Sequence, residues 1–343
     1  MTRSFIGRFW KLTVWVVMWV ANPHMALADT WSFSWDNDML TGTDNGYTNG
    51  LRLAWLSPDI EQVHPCQRCI AGQLRDLLLT LSRAHDESSR HAFTISLQQL
   101  MVTPTDIESV EPQYDDIPFL GYLSGSLTLW NWDEKRITGY GALIGVVGPD
   151  SGAENTQKWA HKLTGSRTPN GWRNQLGSDT VWGIHAAHAQ RWLDAQLLES
   201  NLRHDSSWTV GIQYSSFISS AQLGVAWRFG RQLPANFVFG YSASSPTLSL
   251  PGIHEVTETG WSVLLGMGLE YVFSSYLEER SGPYEFDQRS VTAKLGFGVS
   301  WYWPGLQVTA VLRANSSQED LGVLGILPPN IAIRSVGLAI PRL

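Results

Sequence analysis

The stretch WSVLLGMGLEYVFS, Trp261 to Ser274, alternates over most of its length. Trp261, Val263, Leu265, Met267, Leu269, Tyr271 and Phe273 fall on one side. Ser262, Gly266, Gly268, Glu270 and Ser274 fall on the other. Successive side chains of a strand point to opposite faces, so a period of two makes this a strand with one apolar and one small or polar face. A tilted strand needs about ten residues to cross a bilayer, and this one is long enough. A soluble sandwich would use shorter strands and would not set Trp and Tyr so often at their ends.

Working outward, the same pattern returns. Ala293, Leu295, Phe297, Val299 and Trp301 oppose Thr292, Lys294, Gly296, Gly298 and Ser300, and Leu223, Val225, Trp227 and Phe229 oppose Gln222, Gly224, Ala226 and Arg228. Twelve strands are expected, near 30–38, 47–57, 91–102, 117–131, 137–147, 179–193, 206–216, 220–230, 260–276, 289–303, 306–315 and 330–342. Seventeen Trp and 31 Gly fit interfacial aromatic bands around a crowded interior. The fold class predicted is an all-β transmembrane antiparallel barrel, an even-numbered one whose interior side chains can fill. The Pro- and Ser-rich stretch 231–259 reads as a long connection.

The N-terminus reads as an export signal. Arg3, Arg8 and Lys11 precede an apolar run, Leu12 to Ala21, too short to span a bilayer, and Ala26-Leu27-Ala28 is a small-x-small cleavage site. Residues 1–28 are then a signal peptide and 29–343 an outer-membrane barrel of a bacterium. Removing those three cations from 24 leaves 21 against 31 acids, a net charge near −10. That balance argues against nucleic-acid binding, which requires a basic face. Cys66 and Cys69 read as a small local disulfide of an exported chain, since a zinc site lacks two further ligands. Leu74, Leu77, Leu78 and Leu81 mark an amphipathic helix over 70–84, on the periplasmic side.

One segment departs from the strand rhythm. GPDSGAENTQKWAHKLTG, Gly148 to Gly165, reads as a short helix, with Ser151 and Glu154 as a capping box and Gly165 as a left-handed stop. Gln157 and His161, four apart, share a face. With the mature N-terminus in the periplasm, odd strands run outward. Asp36-Asn37-Asp38, Tyr47-Thr48-Asn49-Gly50 and the helix then meet at the extracellular rim. Asp36 and Asp38 share the polar side of their strand, as Thr48 does with Gly50 and Arg52. Carboxylate and amide oxygens suit a hard cation such as Ca²⁺, and a neutral His beside it suits a general base acting on water.

The order Trp35-Asp-Asn-Asp38, Tyr47-Thr-Asn-Gly50, Gly145-Val-Val-Gly-Pro-Asp150 and Gln157-Lys-Trp-Ala-His161 resembles the outer-membrane lipid A 3′-O-deacylase (LpxR) family. The resemblance is carried by residues 30–56 and 93–185. It implies a twelve-stranded barrel that hydrolyses the 3′-linked acyloxyacyl ester of lipid A, the lipid anchor of lipopolysaccharide, with Ca²⁺. It implies His161 as the water-activating base, Asn37 and Asp38 serving the cation and oxyanion, and Thr48 and Gln157 completing the site. No Gly-x-Ser-x-Gly and no His-Glu-x-x-His occurs, so neither a serine elbow nor a zinc helix competes.

Two departures from the family pattern stand out. Residues 103–116, TPTDIESVEPQYDD, are acidic where family members carry basic residues. Ser166-Arg167 stands where an acidic residue is expected, and Lys162, Arg167 and Arg173 are the nearby cations that can meet a phosphorylated head group. The expected partners are lipid A and the surrounding outer-membrane lipids, with the barrel a monomer. Two other readings fit the pattern: a non-enzymatic pore or structural barrel, and an esterase acting on another lipid, such as a phospholipid.

Overall fold

The computed structural model describes residues 30–37, 46–57, 80, 89–197, 200–240, 258–286, 290–303, 306–316 and 332–341. The expected signal segment 1–28, Asp38, Cys66, Cys69 and, apart from Thr80, the expected helix over 70–84 lie outside them. Twelve strands run Thr30–Asn37 (β1), Gly46–Leu56 (β2), Arg90–Thr103 (β3), Leu120–Trp132 (β4), Arg136–Val147 (β5) and Asp179–Gln196 (β6). They continue through Arg203–Ser215 (β7), Ile218–Arg231 (β8), Gly260–Ser275 (β9), Val291–Trp303 (β10), Leu306–Asn315 (β11) and Ala332–Pro341 (β12). Each lies within three residues of the bounds read from alternation. Every neighbour is antiparallel, and β1 pairs with β12 from Thr30–Pro341 onward, closing the barrel and leaving no free edge.

Alternation sorts the wall. On β9 Leu265, Met267, Leu269, Tyr271 and Phe273 are exposed, while Ser262 and Glu270 are buried inside. An exterior this apolar, with a polar interior, belongs to a barrel seated in a bilayer. Two lumenal charge pairs are buried together, as burial of a charge favours. Arg228 forks onto Asp205 at 2.9 and 2.5 Å, and Lys294 meets Glu270.

The lumen is filled at both ends. Away from β5's C-terminus, Trp130 lies over Gly139, where any Cβ would collide with its ring, and its indole donates to Thr94 at 2.8 Å. Phe237 joins Leu56, Ala92, Trp130, Trp132, Ile137 and Ala189 there. The start of the long β8–β9 connection is thus more than a surface link. Arg228 draws it inward by donating to the carbonyls of Pro234 at 3.0 Å and Asn236 at 2.6 Å, and Phe239 packs over Gly266 and Gly296. At the opposite mouth Tyr122 stacks on Phe217 at 4.0 Å, joined by Leu100, Leu120, Val147, Val181 and Tyr276. Tyr276 opens a short helix, Tyr276–Arg280 (α2), that alternation did not reveal; a longer helix, Ala153–Thr164 (α1), follows β5.

Candidate functional site

The segment after β5 folds as a 3-10 turn, Gly148–Ser151, and then α1. The expected capping box does not form. Gly152, at φ 70°, takes the N-cap and reverses the chain, so Ser151 ends the preceding turn, donating to the Gly148 carbonyl at 2.6 Å. Glu154 pairs with Lys158 at 2.6 Å instead. The expected stop does form. Gly165 sits at φ 72°, and the Ser166 N–H donates to the His161 carbonyl at 3.0 Å. Both glycines hold left-handed conformations that a side chain would strain.

Ala153, Gln157 and His161 form the buried stripe of α1. What they pack against follows from the parity of β3. Thr94 bonds the lumenal Trp130, and Leu100 belongs to the lumenal cluster, so Gln99 and Met101 face outward. Gln99 donates to the Ser151 carbonyl at 2.7 Å. Met101 packs with Ala153, Ile107, Phe119 and Trp172. Across the pair, Gly121 has no room for a side chain, since a Cβ there would stand 2.5 Å from that of Ala153. The helix therefore lies against the exterior of the barrel wall and not over its mouth.

The strand register carries that wall towards the other predicted residues. Gly121 pairs with Met101, Met101 with Asn49, and Asn49 with Asn37. The row on which α1 is seated thus ends, two strands on, at Asn37. Thr48 lies where the β2–β3 register shifts between Tyr47 and Asn49, an extra residue that locally breaks alternation. Asp36 pairs with Gly50, next to it.

Gln157 is fully buried, and its Oε1 accepts from Trp172 Nε1 at 2.7 Å. An indole N–H only donates, so this contact fixes which end of the amide is oxygen. Nε2 is left buried with no hydrogen-bond partner among the described residues. Leaving a buried donor unpaired costs about 1–3 kcal/mol, which marks it as held for something else. Gln157 thereby keeps an amide donor available in the buried face of α1.

His161 is 5% exposed, and its Nδ1 lies 2.5 Å from the Arg167 carbonyl oxygen. A carbonyl can only accept, so Nδ1 carries a proton, and the ring in its neutral form then has its lone pair on Nε2. A main-chain carbonyl thus holds the ring.

The loops around α1 are tied together. The Asn170 N–H donates to the Ile107 carbonyl at 2.8 Å, and Asn174 donates to Val110 at 3.0 Å. Arg173, one of three cations expected to meet a head group, donates to the same Val110 carbonyl at 3.0 Å and pairs with Glu111 at 3.1 Å. Lys162 and Arg167 stay exposed beside α1.

Of the predicted residues, Gln157 and His161 stand together on α1, Asn37 reaches the same wall by register, and Thr48 lies at the irregularity beside Asn49. Among the described residues no three of His, Cys, Asp and Glu gather as a metal set. The residue types that register brings to this strand end, Asp36, Asn37 and Asn49, with Thr48 beside them, are oxygen-bearing, a chemistry that fits a hard cation. Trp172, Gln99, Gly121 and the Arg167 carbonyl were not singled out as site residues from the sequence. Only the short spacing of Arg167 beyond the helix stop hinted at its role.

A family model described as outer membrane protein LpxR matches residues 12–320. Among solved structures, LpxR from Salmonella typhimurium superposes with a TM-score of 0.67 at 14% identity, covering 91% of this chain and 99% of that one. The β domain of the Bordetella autotransporter BrkA follows at 0.42 and 11%, covering 92% and 96%, too loose a likeness to bear on the argument. No curated protein matches by sequence.

Proposed function

We propose, starting from the fact that the chain belongs to the LpxR family of outer-membrane proteins, that this outer-membrane β-barrel is a lipid A deacylase. The finer reading is hydrolysis of the 3′-linked acyloxyacyl ester by a water that His161 activates. One observation carries it: a buried histidine, its Nδ1 proton held by the Arg167 carbonyl, sits one turn along α1 from a buried amide donor that has no hydrogen-bond partner among the described residues.

Water attacks the ester carbonyl while His161 Nε2 takes its proton. The negative charge building on the carbonyl oxygen is met by the N–H of Gln157 Nε2. Such preorganised donors are worth most in a partly dry site. The bond to the sugar oxygen then breaks, and that oxygen receives the proton back from His161, giving a free acid and a sugar hydroxyl. Asn37 and Asp38 would hold Ca²⁺, and a bound Ca²⁺ would supply positive charge beside the carbonyl oxygen.

Lumenal clusters at both mouths argue against the pore reading. The test is purified protein with lipid A or with a diacyl phospholipid, with and without EDTA, read by mass spectrometry. Loss of the 3′-acyloxyacyl mass from lipid A alone is expected. Hydrolysis of the phospholipid alone would establish the other esterase reading.

A further inference from the structure

Helix α1 has three faces, not two. Ala153, Gln157 and His161 meet the barrel wall. At about 100° per residue, Glu154, Asn155, Lys158 and Lys162 gather on one flank, where Glu154 and Lys158 pair. The remaining flank carries Thr156, Trp159, Ala160 and Leu163. Trp159 is 65% exposed and Leu163 72%. A helix standing in water would not set its two largest apolar side chains together on an open flank.

What covers that flank follows from where the helix is seated. Gln99, Met101 and Gly121 place α1 on the outside of the wall, and the same exterior continues along β4 and β5 through the exposed Leu127 and Ile144. That surface is the one the bilayer covers. A helix with one charged flank and one flank of Trp and Leu has the build of an interfacial helix, and Trp favours the membrane–water boundary.

We infer that Trp159 and Leu163 anchor α1 in the acyl-chain boundary of the outer leaflet. Lys158 and Lys162 face the aqueous side. The barrel's place in the membrane carries this, and no part of the deacylase reading does.

With Cys66 and Cys69 replaced by Ser, single cysteines are introduced as Trp159→Cys, Leu163→Cys, Lys158→Cys and Lys162→Cys and labelled with a nitroxide. The folded barrels, checked by heat-modifiable gel mobility, are reconstituted in phosphatidylethanolamine–phosphatidylglycerol vesicles. Labels at 159 and 163 should collide with oxygen several-fold more than with an aqueous nickel chelate, and labels at 158 and 162 the reverse. As a second measurement on the native chain, the fluorescence lost in Trp159→Phe should belong to a component that brominated lipids quench. Labels at 159 and 163 as open to nickel as those at 158 and 162, or closed to both reagents, would overturn the inference. So would a Trp159 component that brominated lipid leaves untouched.

Discussion

Nδ1 of His161 lies 2.5 Å from the carbonyl oxygen of Arg167, six residues on and just past the helix stop at Gly165. The partner is main chain, so its presence does not depend on the side chain at 167. Arg167→Ala should leave the turnover rate within a few-fold of wild type. Gly165→Ala places a Cβ at φ 72°, a cost of about 1–2 kcal/mol, and should shift the carbonyl. Its turnover should fall well below that of Arg167→Ala in kinetics on detergent-dispersed lipid A. Equal rates for the two would detach the ring's orientation from this turn.

Trp172, packed with Met101 and Ala153, holds Gln157 by one hydrogen bond 2.7 Å long. Trp172→Phe keeps most of the packing but strands the amide oxygen, a loss of about 1–3 kcal/mol. Amides of 153–164 should exchange hydrogen faster than in wild type, and the rate should drop to that of Gln157→Ala. Unchanged exchange and full activity would remove Trp172 from the site.

Gly121 is where the wall admits the helix. Gly121→Val should push the Ser151–Ala153 corner away, because even a Cβ would stand 2.5 Å from that of Ala153. Deacylation should be lost while the barrel keeps its heat-modifiable mobility. An active variant would mean that the seat of α1 on β4 is dispensable.

The barrel was legible because bilayer and lumen impose opposite demands on alternate residues. Leu265 and Met267 had to face one way, Ser262 and Glu270 the other. The helix was legible for a similar reason, since Gly165 can end a helix where other residues strain. The seat of the helix was not. It depends on Gly121 and Met101, distant in sequence and brought together only by the β3–β4 register, and nothing local marks either. The capping box failed because Gly152 can adopt φ 70°, which moves the helix start past Ser151. Phe237 and Phe239 fill the lumen because Arg228 gathers their carbonyl neighbours, a long-range contact that composition reads only as a connection.

Oxygen-bearing residues at the ends of β1 and β2 predict a cation requirement. EDTA should abolish deacylation and Ca²⁺ restore it, and Asp38→Ala should stay inactive at any Ca²⁺ concentration. Full activity of EDTA-treated protein, with metal content checked by mass spectrometry, would contradict it.

The central claim is that His161 activates the water. The direct measurement compares the mass of lipid A in outer membranes holding equal amounts of folded wild type and His161→Asn. Wild type should remove the 3′-acyloxyacyl group, and the variant should leave it in place, its rate lower by at least about 100-fold, the scale of a lost general base. Equal deacylation by the two would remove His161 from the chemistry.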